Sequence, residues 1–247
     1  IIELEGVWFR YPGGTWALKG IDCYVEEGES LALLGPNGCG KTTALLLMAL
    51  VLEPTRGVVR YRGRDSRELG PEVRREIGLV FQDPDDQLFN PTVYDEIAFA
   101  LRQLGLGEDE VEIRVKEVAK SFGVEHLLDR EPHKLSYGEK KKVALASIIV
   151  YRPEVLLLDE PTASLSPKYV RLVERLVDEW IEEGGTCVIA TQDVELARRI
   201  ADRAYVMVEG RAIAEGSVDE LLEDVELLET AELATPPAPD YKRRALA

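Results

Sequence analysis

The stretch "GPNGCGKTT" at 35–43 constrains this chain more than any other. It follows the short apolar run "SLALLG" (30–35), of the buried-strand kind, and leads into "TALLLMALVL" (43–52), long enough for a buried helix. G-x-x-x-x-G-K-T between a strand and a helix is the pattern of a phosphate-binding loop. Gly35, Gly38 and Gly40 let the backbone turn its N–H groups inward, and the helix N-terminus adds roughly half a positive charge. Asn37, Gly38, Cys39 and Gly40 then form the cradle. Lys41 would reach the β- and γ-phosphates, Thr42 would hold Mg²⁺, and Thr43 would reach the α-phosphate. A plain glycine turn before a helix is the competing reading, and the complete pattern in its context argues against it.

The rest of the chain supplies a sheet for such a loop. "VLLLDEP" (155–161) and "TCVIATQD" (186–193) are buried-strand candidates with a helix at 167–183 between them, an alternation that implies parallel pairing. The opening third reads as strands and turns: "IIELEGVWFRYPGG" alternates apolar and polar residues, and "GVVRYRGRD" looks like a hairpin. From Val93 to Tyr151 the period is helical, punctuated by Gly105, Gly107, Gly123 and Pro132. "AYVMVEGRAIAEG" (204–216) is strand, turn, strand. The segment 218–233 is an amphipathic helical tail, and 234–247 is loose. The fold class is α/β.

Composition narrows the partners. A net charge of −16 argues against a nucleic-acid backbone or an anionic lipid surface as the main partner. No apolar run reaches the roughly 18 residues of a spanning helix, and the first residues lack a signal peptide's basic region. The 3 cysteines, Cys23, Cys39 and Cys187, are far apart without zinc-site spacing, which fits a reducing cytosol. With only His126 and His133, no histidine-rich metal cluster can be built.

Two further motifs carry chemistry. Asp159 and Glu160 end a buried strand, where Asp159 fits a Mg²⁺ carboxylate and Glu160 a general base for an attacking water. "KLSYGEKKKVALASI" (134–148) opens a helix whose free N–H groups point outward, and Ser136 with Glu139 matches a capping box. Such a serine-bearing helix end can also close on a γ-phosphate held by another subunit. Lys140–Lys142 reads as a solvated helix turn, with partner phosphates or a membrane subunit as the lesser alternative it would face, and Lys242–Arg244 is too short a basic run for a lipid or nucleic-acid site. Cys39 reads equally as a small buried residue or as a reactive thiol with its pKa lowered by the helix end.

Across residues 1–220 these motifs, in this order, resemble the nucleotide-binding subunit of ABC transporters. "GPNGCGKT" is similar to Walker A, Gln82 in "VFQDP" to the Q-loop, "LSYGE" to the signature, "VLLLDE" to Walker B and "ASLSP" (163–167) to the D-loop. Tyr11 stands where the family stacks an aromatic on adenine, although alone it reads as a strand-end tyrosine. "FQDPDDQLFNPTVYDEIAF" and "LSYGEKKKVA" resemble the cobalt/nickel and energy-coupling-factor ATPases. The resemblance implies a P-loop NTPase fold: a RecA-like core with a mainly parallel sheet, an N-terminal antiparallel β subdomain and an inserted helical subdomain at about 84–150. A short C-terminal extension would span 221–247. It also implies ATP and Mg²⁺ as ligands, with Gln82 sensing the metal and γ-phosphate. A second ATPase subunit would supply Ser136 and Gly138 to each nucleotide. The chain would lie at the cytoplasmic face of the membrane, bound to a transmembrane coupling subunit and a substrate-binding membrane component.

Three departures strain the resemblance. Gln192 stands where the family has a γ-phosphate-gripping histidine, Tyr137 where glycine is usual, and Ser166 where the D-loop has aspartate. Gln192 can donate a neutral hydrogen bond but carries no charge. It is either native or an engineered substitution of the kind that traps ATP-bound dimers. The alternative to a working ATPase is thus a regulatory, hydrolysis-impaired subunit of a heterodimer. A soluble ABC protein of DNA repair or translation would need a long coiled-coil insertion or two cassettes.

Overall fold

The structure is a computed structural model and describes residues 1–163 and 165–233. The alternating opening segment forms β1 (Ile2–Arg10), which turns into β2 (Trp16–Val25). The continuous apolar run that follows forms β3 (Ser30–Leu34), buried at every residue, as expected of a strand covered on both faces. After the phosphate loop comes α1 (Lys41–Met48). It is shorter than its apolar run, because Leu50 takes a left-handed φ of 56° and ends the helix. The short pair β4 (Arg56–Tyr61) and β5 (Arg64–Asp65) is the hairpin read from "GVVRYRGRD".

β6 (Ile77–Val80) is a parallel strand that the sequence pattern does not reveal. Three helices then form the insertion: α2 (Val93–Gln103), capped by the Thr92 hydroxyl; α3 (Glu108–Phe122), ended by left-handed Gly123; and α4 (Tyr137–Ile149). The chain returns through β7 (Val155–Asp159), α5 (Pro167–Glu182), β8 (Thr186–Thr191) and α6 (Val194–Ile200). It closes with β9 (Arg203–Val208), β10 (Arg211–Ser217), α7 (Val218–Glu223) and α8 (Val225–Thr230). The tail read as one helix is two, broken at Asp224, whose carboxylate accepts from the Leu227 N–H at 2.9 Å and caps the second. The loose segment at 234–247, with Lys242–Arg244, lies outside the described residues.

Two sheets result. β2-β1-β4-β5 is antiparallel, and β10-β9-β3-β8-β7-β6 is parallel except for its β10 edge. Alternate residues of the parallel strands enter different cores. Leu31, Leu33, Leu157 and Val188 pack with Leu45 and Met48 of α1 beneath the antiparallel sheet. Leu156, Leu158 and Ile189 pack with Ile97, Val143 and Val173 of the helices on the other face. This three-layer arrangement is the α/β, P-loop NTPase architecture expected from the sequence.

Candidate functional site

Parallel register brings the motifs to one edge. Leu34 pairs with Thr191, and Asp159 pairs with Ala190, so the C-terminal ends of β3, β7 and β8 are level. Open α/β sheets bind ligands at this edge, where the order of strands reverses direction. Here β3 sits between β8 and β9, and the loop leaving it crosses that edge.

The loop's shape depends on absent side chains at two points. A Cβ on Gly40 (φ 110°) would come within 2.7 Å of the Ala17 carbonyl, and one on Gly35 within 2.3 Å of the Met207 carbonyl. Gly40 also offers α1 no side-chain cap, so the first N–H groups of the helix are left for a ligand. The Lys41 ammonium folds back over the loop, donating to the carbonyls of Gly35 at 2.7 Å and Pro36 at 3.1 Å. Tyr11, Asn37, Gly38, Gly40, Lys41, Thr42, Thr43, Gln82, Asp159 and Glu160 line one cavity of about 370 Å³. That is within the roughly 300–1,000 Å³ of small-molecule sites. The Tyr11 hydroxyl lies 3.3 Å from Thr43 Oγ1, which holds its ring at the mouth. A larger cavity of about 500 Å³ between α3, α4 and α5 brings together none of these groups.

The acidic pair is buried and unequal. Thr42 Oγ1 donates to Asp159 Oδ2 at 2.6 Å, while Asp159 Oδ1 is buried with no partner. A hydroxyl and an unpartnered carboxylate oxygen suit a hard cation that takes one or two protein oxygens and completes its shell from phosphates and water. Burial pushes the Asp159 carboxyl up, and the Thr42 hydrogen bond opposes it. Burial also pushes Glu160 up, countered by the Lys41 ammonium 3.5 Å away. Both Glu160 oxygens are held from β8 and the residue after it. Thr191 Oγ1 donates to Oε2 and the Gln192 backbone N–H to Oε1, each at 3.1 Å. A carboxylate so fixed can accept a proton from a water at the cavity end.

Gln192 therefore meets Glu160 through its backbone, while its side chain is exposed and outside the cavity lining. Asp193 behaves as a helix cap, accepting from the Leu196 N–H at 3.0 Å. Ser136 and Gly138 also stand outside the cavity, at the start of α4. The Glu139 carboxylate accepts from both the Ser136 backbone N–H and hydroxyl, at 2.8 and 2.7 Å. Tyr137 turns back to its own chain, where its hydroxyl donates to the Gln82 carbonyl at 3.3 Å.

One open alternative is decided and one expectation needs correction. Cys39 is 3% exposed and burial pushes its thiol up, so desolvation outweighs the helix end and the plain space-filling reading holds. Lys140–Lys142 is not a solvated turn. Lys140 pairs with Asp85 at 2.6 Å, and Lys141 is 0% exposed, its ammonium donating to the Glu160 carbonyl at 3.3 Å. Burial pulls Lys141 down to about 8. The signal was the helical period: Lys141 shares a face with buried Ala144 and Leu145, three and four residues on. Thr191 was also missed, because its contact exists only through the β7–β8 register.

A phosphate loop, a strand-end carboxylate pair and a parallel sheet define a nucleoside-triphosphate hydrolase of the α/β class. The family model described as ABC transporter matches residues 18–163. The chain is 45% identical over 240 residues to the energy-coupling factor transporter ATP-binding protein EcfA of Methanocaldococcus jannaschii, spanning 96% of this chain and 86% of that protein. It is 43% identical over 247 residues to EcfA of Methanothermobacter thermautotrophicus, covering 99% and 79%. Among solved structures, CbiO1 of Clostridium perfringens, part of the transporter complex CbiONQ, superposes with a TM-score of 0.78 at 38% identity, covering 96% of both chains. The dimeric cassette MJ0796, bound to ADP and Pi after hydrolysis, superposes with a TM-score of 0.81 at 27% identity, covering 88% and 99%. The chain belongs to the ABC transporter family and is an ATP-binding, ATP-hydrolysing subunit of it.

Proposed function

We propose that this chain is the Mg²⁺-dependent ATPase of an energy-coupling-factor or cobalt-type importer, in which ATP-driven dimer closure and hydrolysis power uptake of a small nutrient or metal ion. The convergence of Lys41, Thr42, Asp159 and Glu160 on one cavity carries the reading. Tyr11 stacks on adenine. Asn37, Gly38, Cys39, Gly40 and Thr43 hold phosphates through backbone N–H groups and a hydroxyl, and Lys41 moves from Glu160 to the β- and γ-phosphates. Thr42, Asp159 and Gln82 would hold Mg²⁺, which would supply charge neutralisation on those phosphates. Glu160 takes the proton of the attacking water, and Gln192 donates a neutral hydrogen bond near the γ-phosphate. Glu160, tied at both oxygens, supports hydrolysis over the regulatory alternative.

Ser136 and Gly138, exposed and half-buried outside this chain's cavity, serve the nucleotide of a second ATPase subunit. A groove of about 430 Å³ beside α2 supports docking of an apolar helix from a transmembrane component. There Phe89, 69% exposed, stacks edge-on against Phe99 with ring centroids 5.1 Å apart. No helix among the described residues is long and apolar enough to cross a membrane. The chain attaches at the cytoplasmic face through that component. Residues 1–220 form the ATPase domain, and 221–247 the extension. Sedimentation of Glu160→Gln tests the closure: a dimer mass with Mg²⁺-ATP and a monomer mass with EDTA are expected. A monomer mass at saturating Mg²⁺-ATP would contradict closure between two copies.

A further inference from the structure

α4 carries two things at once. Its N-terminus holds Ser136 and Gly138, and its fifth residue, Lys141, reaches back into this chain's own catalytic end. Lys141 is fully buried, its hydrogen bond goes to the Glu160 carbonyl, and it forms no ion pair among the described residues. Glu160 needs such a tie. It has a left-handed φ of 41°, unfavourable for a residue with a side chain and stable only when its surroundings over-determine it.

Several ties fix it. Its N–H donates to the Ala190 carbonyl at 2.9 Å, and its two carboxylate oxygens accept from Gln192 N–H and Thr191 Oγ1. Those three come from the β8 side. Lys41 Nζ stands 3.5 Å from Oε1, and the carbonyl accepts from the Ala163 N–H at 3.4 Å and from the Lys141 ammonium at 3.3 Å, the one contact that comes from α4. Stability does not explain a lysine here, because an apolar side chain of similar volume spares the desolvation of a buried charge and often stabilises. A long ammonium does what an apolar chain cannot: it donates to a carbonyl across a helix–strand gap, so that the carbonyl follows the helix.

We propose that Lys141 is a positioning residue for ATP hydrolysis, coupling the helix that closes on a partner's nucleotide to the main chain of the Glu160 that serves this chain's own. The coupling rests on the dimer reading above. Movement of α4 on closure shifts the Lys141 ammonium, and with it the Glu160 peptide and the direction of its carboxylate. One site thereby sets the geometry of the other.

The test uses the full chain with Lys141→Met, which fills the volume without a donor, and Lys141→Gln, whose amide can still donate. ATP hydrolysis is measured across ATP concentrations, with fluorescent-ATP affinity and thermal unfolding alongside. In Lys141→Met we expect kcat to fall about 10- to 100-fold, the range for misplacing a catalytic group by about an ångström. KM and nucleotide affinity stay within about twofold, as for an interaction expressed only in the transition state. The melting temperature stays level or rises, and a Hill coefficient above one in the parent drops to one. Lys141→Gln recovers part of kcat. An unchanged kcat in Lys141→Met overturns the proposal, as does a fall in kcat that tracks losses of affinity and melting temperature, the mark of a merely structural lysine. A Hill coefficient of one in the parent overturns the coupling. Failure of the functional reading looks different: parent and Glu160→Gln would then hydrolyse ATP equally before Lys141 is touched.

Discussion

Replacing Thr191 with valine removes one hydroxyl and almost no volume, which isolates what holds the general base. That hydroxyl is fully buried, donates to Glu160 Oε2 at 3.1 Å and accepts from the Asp193 N–H at 3.0 Å. A hydrogen bond to a charged group contributes about 1.5–3 kcal/mol. If that orientation is expressed in the transition state, its loss lowers kcat by roughly 10- to 150-fold. The Gln192 N–H still holds Oε1, so the lower half of the range is expected. Stability falls as well, by about 2.5–4 kcal/mol if the Glu160 and Asp193 bonds both count in full, or a melting shift of roughly 5–15 °C in a chain of this size. Steady-state hydrolysis and thermal unfolding of Thr191→Val and Thr191→Ser separate the two effects. Serine keeps the hydroxyl and should hold kcat within about threefold of the parent. Turnover of Thr191→Val at the parental rate, or a serine variant as impaired as valine, would show that this hydroxyl does not orient Glu160.

Other outcomes follow from the same geometry. Gln192→His, at an exposed position with no packing to disturb, should raise kcat about 5- to 30-fold, the difference of about 1–2 kcal/mol between charge-assisted and neutral hydrogen bonds; an unchanged rate means residue 192 does not touch the transition state. Titration of the native protein with a thiol reagent should find no fast-reacting group, since Cys23, Cys39 and Cys187 are all buried with their thiols pushed up; rapid loss of one thiol, mapped to Cys39, would contradict this. Glu139→Ala should cost about 1 kcal/mol by uncapping α4. The Ser136 hydrogen bonds hold the Glu139 carboxyl below its ordinary value, so this contribution is present above the unfolded carboxylate pKa and lost as pH falls through the folded one. Melting curves of parent and Glu139→Ala should therefore converge on acidification, and a gap that persists in acid would argue against the cap.

Much of the fold is legible because its strongest signals are contiguous. β3, β7 and β8 are unbroken apolar runs, and the phosphate loop is one nine-residue stretch whose glycines and lysine act as neighbours. β6 escapes notice because it has four residues, one of them Gly78, whose missing side chain leaves room for Ile148 and Pro153. The end of α1 is hidden inside an apolar run, since the backbone reversal at Leu50 leaves no mark in the hydrophobic pattern. At the site, Lys41, Thr42, Asp159 and Glu160 can be named from their motifs. Thr191 cannot, because its partner lies 31 positions away and is reached only through sheet register. Lys141 is masked by flanking lysines and separated from them only by the helical period.

Steady-state Mg²⁺-ATP hydrolysis by the purified chain and its Glu160→Gln variant tests whether Glu160 is the general base. The amide keeps the shape of the carboxylate and cannot take a proton. The parent should turn over ATP, and the variant should bind ATP as tightly with a kcat lower by about 10²- to 10⁴-fold, the worth of a positioned general base. A variant as fast as its parent would contradict the assignment of Glu160 as the base.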